Sequence, residues 1–201
     1  MVDEIVKAGG KAVAIQADVA KRADVQRLFS ETAATLGRPN ILVNNAGVYS
    51  FAPLESVTEE DFHRQFNTNV LGAILHPGGR QGFRRPGGSV INLNTISSAN
   101  PSPNTLVYSA SKSAIDSITR ELATELASKG IRVNAIAPGM TETEVFAASG
   151  LSAESAKALG FPLPMGRIGR PDDVARVALF LASDQSAWVT GERISVSGGQ
   201  R

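Results

Sequence analysis

"ILVNNAG" (residues 41–47) is a short β-rich run that breaks into a polar turn at a glycine. Apolar residues followed at once by Asn44, Asn45, Ala46 and Gly47 read as a buried strand entering a loop. The same pattern recurs along the chain. "SVINLN" (89–94) runs into "NTIS", and "IRVNAIAP" (131–138) runs into "PGMTET". "KAVAIQADV" (11–19) and "RISVSGG" (193–199) are two further strand candidates. Helical patterns lie between them. One spans Asp24 to Leu36 and is ended by Gly37 and Pro39. Another starts at Thr58, with Glu59, Glu60 and Asp61 in its first turn, where acids favour the positive end of a helix. A third covers Tyr108 to Lys129, with Ala114, Ile115, Ile118, Leu122 and Leu126 on one face and Gly130 closing it. The last starts at Pro171-Asp172-Asp173 and reaches Ser183. Strands alternating with helices, and no internal repeat, predict a single α/β domain over 1–201 with a doubly wound parallel sheet. Ligands bind such sheets beyond the carboxyl ends of the strands. "NNAG", "NTIS" and "PGMTET" all follow strands directly, so the functional surface is expected at that edge.

Composition narrows the function. The chain has 201 residues, 42% hydrophobic and 19% charged, enough for a substantial core. A net charge of +1 gives little support to a nucleic-acid partner. With no cysteine there is no disulfide framework and no thiolate chemistry. His63 and His76 lie far apart without paired ligands, so no metal site is expected. No apolar run reaches the roughly 18 residues of a membrane span, and "MVDEIVKAGG" reads as neither signal nor transit peptide. A cytoplasmic protein is the expectation.

The chemistry concentrates in "YSASKSAIDSI" (108–118). Residues four apart share a helix face, so Tyr108 and Lys112 can act together. An ammonium beside a phenol favours the phenolate, and a phenol tuned in that way is a usable general acid or base.

Taken in order, "ADV" (17–19), "NNAG" (44–47), "NTNVLG" (67–72), "YSASK" (108–112), "RVNAIAPG" (132–139) with Thr143, and "GERISVSGG" (191–199) resemble the classical short-chain dehydrogenase/reductase family. The 3-oxoacyl-thioester (acyl-carrier-protein) reductases and the glucose dehydrogenases look most similar. The resemblance implies a Rossmann-like sheet and NAD(P)-dependent interconversion of a ketone and a secondary alcohol. Tyr108 would be the general acid or base. Lys112 would lower its pKa and hold the nicotinamide ribose, and Asn69 would bind a water linking the lysine to solvent. Asn45, Ala46 and Gly47 would lie beside the cofactor. Asp18 and Val19 would contact its adenine, and Pro138, Gly139, Thr141 and Thr143 would grip the nicotinamide carboxamide. The partners implied are a small carbonyl or alcohol substrate and further copies of the chain, as a homodimer or homotetramer.

The chain departs from the family pattern in three places. The family serine thirteen residues before the tyrosine is Thr95 here; it keeps a hydroxyl, but its β-branch stiffens χ1. Ser97 and Ser98 are the alternatives. "HPGGRQGFRRPGG" (76–88) falls where the family continues a long helix, and its proline and glycines oppose helix; weaker subunit pairing is the expectation. Its arginine-glycine composition leaves an RNA-binding module as a remote alternative. Finally, no Gly-x-x-x-Gly-x-Gly follows a strand, so the family's first two strands and glycine-rich turn are expected to be absent. Residues 11–19 would then either pair with 41–47 or be loosely held. The rival function is accordingly a non-catalytic relative that binds cofactor poorly. The sequence does not decide between NAD and NADP, nor does it name the substrate. Residues 144–165 fall where the family places its substrate-covering loop, with Phe146, Leu151 and Phe161 suited to an apolar compound.

Overall fold

The structure, a computed structural model, describes residues 1–75, 83, 87–143, 158 and 160–200. The elements are α1 (Val2–Lys7), α2 (Arg22–Leu36), β1 (Ile41–Asn44), α3 (Glu59–Phe66), a π-helical turn (Asn67–Leu71), α4 (Gly72–Ile74), β2 (Gly88–Leu93), α5 (Leu106–Ala127), β3 (Ile131–Pro138), α6 (Pro171–Ala182) and β4 (Arg193–Val196). Among the described residues, four strands form one parallel sheet in the order β1-β2-β3-β4. Each crossover carries helical structure, as parallel neighbours require.

The interior strands account for the core. Successive side chains of β2 point to opposite faces. Val90 therefore joins Phe83, Ala123, Leu126, Ile131 and Val133 under α5, while Ile91 joins Ile136 and Leu181 under α6. A strand covered on both faces reads as a continuous apolar run, which is why β2 and β3 were legible. Phe83 is 1% exposed. The ring of the arginine-glycine tract is thus a core residue and is not presented for base stacking. Residues 76–82 and 84–86 lie outside the described residues, and with them most of the expected break in the family's long helix; the last turn before them is Gly72–Ile74, capped by Leu75.

Residues 11–19 do not form the expected strand, and they do not pair with β1, which has only β2 as a partner among the described residues. A strand needs a partner ladder, and apolar alternation alone cannot supply one. The segment is tethered by side chains of α2 instead. Arg27 donates to the Gln16 carbonyl (2.5 Å), and the Asp18 amide donates to Asp24 (2.8 Å). The helix starting at Thr58 is as expected, with the Thr58 hydroxyl accepting from the Asp61 amide at 3.1 Å. The buried stripe of α5 differs from the apolar reading. Ile115 and Leu126 are buried, but Ser111, Thr119 and Ala123 share that face, while Ala114 and Ile118 are only half-buried. Polar partners elsewhere in the fold draw these small residues inward: Asn92 donates to Thr119 and Asn69 donates to Ser111.

Candidate active site

The loops after β1, β2 and β3 and the start of α5 enclose a cleft of about 530 Å³. Its lining includes Asn45, Gly47, Thr95, Tyr108, Lys112, Pro138, Gly139, Thr141 and Thr143. The expected edge of the sheet is therefore where these residues converge. A smaller cavity of about 110 Å³ adjoins it, lined by Val19, Asn45, Ala46, Asn69 and Lys112 among others.

Tyr108 lies in the first turn of α5 and shares the cleft wall with the Thr95 side chain. Burial pushes its phenol above the ordinary value; the nearby Thr95 side chain pulls it down, and Tyr49 pushes it up. The lowering expected from Lys112 is not present. That ammonium, only 6% exposed, donates instead to the Leu93 carbonyl at 2.8 Å, and burial lowers its pKa from 10.5 to about 8. The strand end of β2 thus fixes the lysine, and one helical turn separates it from a phenol that stays protonated at neutral pH.

Thr95 begins a short 3₁₀ turn (Ile96–Ser98), with its hydroxyl accepting from the Ser97 amide at 3.3 Å. Ser98 points elsewhere: its hydroxyl donates to Asp116 at 2.8 Å. Of the alternatives weighed from sequence, Thr95 is the one that lines the cleft with Tyr108.

Asn69 sits within the π-helical turn and is 3% exposed. Its carbonyl accepts from the Val48 amide and its amide donates to the Val48 carbonyl, each at 2.8 Å, with a further bond to Ser111 at 3.0 Å. It clamps the loop that follows β1. A Cβ added at Gly47 would lie 3.4 Å from Asn69 Oδ1 and 3.5 Å from Lys112 Nζ, so three sequence-predicted residues meet at one point. Gly139 has still less room, because a Cβ there would run into Gln200 and, at 2.9 Å, the Ser197 backbone. Gln200 also accepts from the Met140 amide at 2.7 Å, bracing the "PGMTET" turn.

Asp18 stands apart from the cleft. Its carboxylate accepts from the Ala20 amide at 3.0 Å and pairs with Lys21 at 3.4 Å, shaping the turn into α2. Residues 144–157 and 159 lie outside the described residues, and Phe146 and Leu151 with them; Phe161 is 41% exposed. Sequence reading missed an aromatic group beside the phenol. The rings of Tyr49 and Phe51 stack at 5.3 Å and meet Tyr108 edge-on at 6.2 and 5.9 Å. The signal was present, two rings within four residues of "NNAG", but their contact with Tyr108 is set by the fold. Among the described residues no cluster of acidic or histidine side chains could hold a metal ion, and no helix is long and apolar enough to cross a membrane.

A four-stranded parallel sheet with a Tyr-x-x-x-Lys helix at its carboxyl edge defines an α/β protein of the dinucleotide-binding kind. The family described as enoyl-(acyl carrier protein) reductase matches residues 1–201. An uncharacterized oxidoreductase of Methylorubrum extorquens is 44% identical over 202 residues, covering 100% of this chain and 82% of its own. A hydroxynaphthalene reductase-like protein of Metarhizium anisopliae is 39% identical over 212 residues, covering 99% and 79%. Among solved structures, an NADPH-bound short chain oxidoreductase of Pseudomonas aeruginosa superposes with a TM-score of 0.87 at 29% identity, covering 98% of this chain and 82% of its own. The chain belongs to the classical short-chain dehydrogenase/reductase family of oxidoreductases.

Proposed function

We propose that the protein interconverts a ketone and a secondary alcohol with NAD(P) as hydride partner, using Tyr108 as the acid or base. The observation that carries this reading is the Tyr108 phenol, set with the Thr95 side chain in the wall of a cleft that also takes in Lys112. The cleft fits the nicotinamide end of such a cofactor. Gly47 and Gly139 put bare backbone in the cleft wall, and Thr141 and Thr143 supply hydroxyls near Pro138. When bound, the cofactor supplies or accepts the hydride at the carbonyl carbon. The residues of the chain do the rest. Tyr108 and Thr95 would donate hydrogen bonds to the ketone oxygen, and Tyr108 would pass it a proton as the carbonyl becomes an alcohol. Burial keeps the phenol protonated at neutral pH, the state that reduction needs. Lys112 would offer its ammonium to the ribose hydroxyls, and Asn69 would keep the Asn45–Val48 loop against them. NADPH is the form named for the Pseudomonas aeruginosa structure, and it is the one to try first.

The substrate reading is an apolar, ring-bearing ketone. Tyr49 and Phe51 are 45% and 58% exposed beside Tyr108, and flat rings of that kind favour stacked or edge-on aromatic ligands. The name of the Metarhizium relative points the same way. The test is NADPH-dependent reduction of a fused-ring ketone by the parent and by Tyr108→Phe. The variant should lose turnover while NADPH binding, followed by calorimetry, persists. Substantial turnover in purified Tyr108→Phe would refute the assignment.

A further inference from the structure

The face of α5 that carries Tyr108 and Lys112 carries a third polar residue at the same spacing, Asp116. The reaction just described makes no use of it. Its surroundings are nonetheless organised about Thr95. Asp116 Oδ1 accepts from the Asn94 side-chain Nδ2 at 2.6 Å, and Asn94 Oδ1 accepts from the Thr95 backbone N–H at 2.9 Å. Asp116 Oδ1 also pairs with Arg193 Nε at 3.4 Å, and Arg193 Nη2 donates to the Thr95 backbone carbonyl at 3.1 Å. Asp116 Oδ2 accepts from Ser98, whose hydroxyl in turn accepts from Arg193 at 3.2 Å. Both backbone polar groups of Thr95 are thus held by partners that converge on a single carboxylate. The side chains of Arg193 and Asp116 are 22% and 14% exposed. A shielded, charge-assisted network of this kind holds geometry more tightly than a surface pair.

We infer that Asp116 and Arg193 are positioning residues that set the Thr95 hydroxyl against Tyr108, so that one helix face fixes the proton donor, the lysine and the second hydroxyl together. This rests on the reading of Tyr108 and Thr95 given above. The purpose is positional accuracy: a displacement of about 1 Å at a reacting group can cost about 10²-fold in rate. Thr95 sits on a short turn beyond the end of β2, where the sheet ladder no longer restrains it. A structural alternative is that the pair only pins β4 to α5. That role would affect stability without any specific effect on Tyr108.

The chain has two tyrosines, so in a Tyr49→Phe background Tyr108 is the only phenol and its ionisation can be followed by ultraviolet absorbance without any turnover. In that background Asp116→Asn should move the Tyr108 titration upward, in the same direction as Thr95→Ala, because the hydroxyl that favours the phenolate is displaced. Added to Thr95→Ala, it should move the titration no further. In the parent background Asp116→Asn should lower kcat for ketone reduction about 10- to 100-fold, with KM changing much less. The Asp116→Asn/Thr95→Ala pair should be within about 2-fold of Thr95→Ala alone, as expected for residues acting as one unit. Arg193→Lys, which keeps a cation beside Asp116 but lacks the fork that reaches the Thr95 carbonyl, is the second variant and should show the same coupling. If Thr95→Ala shifts the titration and kcat while Asp116→Asn and Arg193→Lys shift neither, the positioning role is overturned and the catalytic reading stands. If the effects of Asp116→Asn and Thr95→Ala simply add, Asp116 does not act through Thr95 and the positioning role is overturned. If Thr95→Ala itself alters neither quantity, the reading of Thr95 falls and the positioning role falls with it.

Discussion

Lys112→Met should make the protein more stable while abolishing its function. The lysine is 6% exposed, and burial lowers its pKa from 10.5 to about 8. At about 1.4 kcal/mol per pH unit, holding the charged form in this site costs about 3 kcal/mol. Methionine has a similar length and no charge. The substitution also removes the 2.8 Å bond to the Leu93 carbonyl, a loss of about 1 kcal/mol. The net gain at neutral pH is therefore about 2 kcal/mol, a large fraction of the 5–15 kcal/mol typical of a domain. The pH dependence has a definite sign. Below about 8 the lysine is charged in both folded and unfolded chains and the penalty is complete. Between about 8 and 10.5 the unfolded chain binds more protons than the folded one, so the parent gains stability with rising pH. The variant has no such group, and Tyr108 titrates in both proteins and cancels. Urea unfolding of parent and variant at several pH values from about 7 to about 10 measures this directly. The advantage of Lys112→Met should be largest at the low end and shrink as pH rises. A variant no more stable than the parent at pH 7, or an advantage that is flat with pH, would refute the argument.

Phe51→Ala should lower kcat/KM for a fused-ring ketone about 3- to 10-fold relative to a small acyclic ketone, the loss expected for one aromatic contact; an unchanged ratio between the two substrates would remove the ring shelf. Phe83→Ala should cost about 3–5 kcal/mol in denaturant unfolding, because the ring fills the core under α5 and leaves a cavity when removed. A cost below about 1 kcal/mol would mean that the arginine-glycine tract is not anchored there. Gly139→Ala should cost about 1–3 kcal/mol and weaken NADPH binding, since its methyl group would displace Gln200 and the Ser197 backbone, with which the turn is braced. Parent-like cofactor affinity by calorimetry would show that the turn has room to adjust.

The sequence revealed the interior of the sheet and the convergence of its polar loops because both are written locally. β2 and β3 are buried on both faces and read as apolar runs, and each is followed at once by the residues that line the cleft. Residues 11–19 look equally strand-like, yet pairing depends on a neighbour that local pattern cannot specify. The stripe of α5 was shifted for a related reason. Ser111 and Thr119 are buried because Asn69 and Asn92 reach them from other elements. The Tyr108–Lys112 spacing was legible, but the direction of the lysine was not. Its partner, the Leu93 carbonyl, is a backbone atom that carries no sequence signal. Asp116 and Arg193 escaped notice because they lie on α5 and β4, and only the fold brings them to Thr95.

The two sides of the cleft rest on unequal supports. Thr95 and Lys112 are tied to β2, whose Val90 and Ile91 are fully buried. The Asn45–Val48 loop hangs instead from β1, where Ile41 and Val43 are 44% and 45% exposed and only one edge is paired among the described residues. A strand paired on one side restrains the loop beyond it less than one paired on both. Asn69 supplies the restraint, bonding both the amide and the carbonyl of Val48. A helix-interior asparagine is a poor choice on propensity, because its side chain competes with the helical backbone. Here the helix widens to a π turn at that point, and the amide reaches out to the loop instead of back to its own turn. The local cost to the helix is therefore tied to the position of Gly47, and through Gly47 to the backbone space beside Lys112 that a bound nucleotide would need.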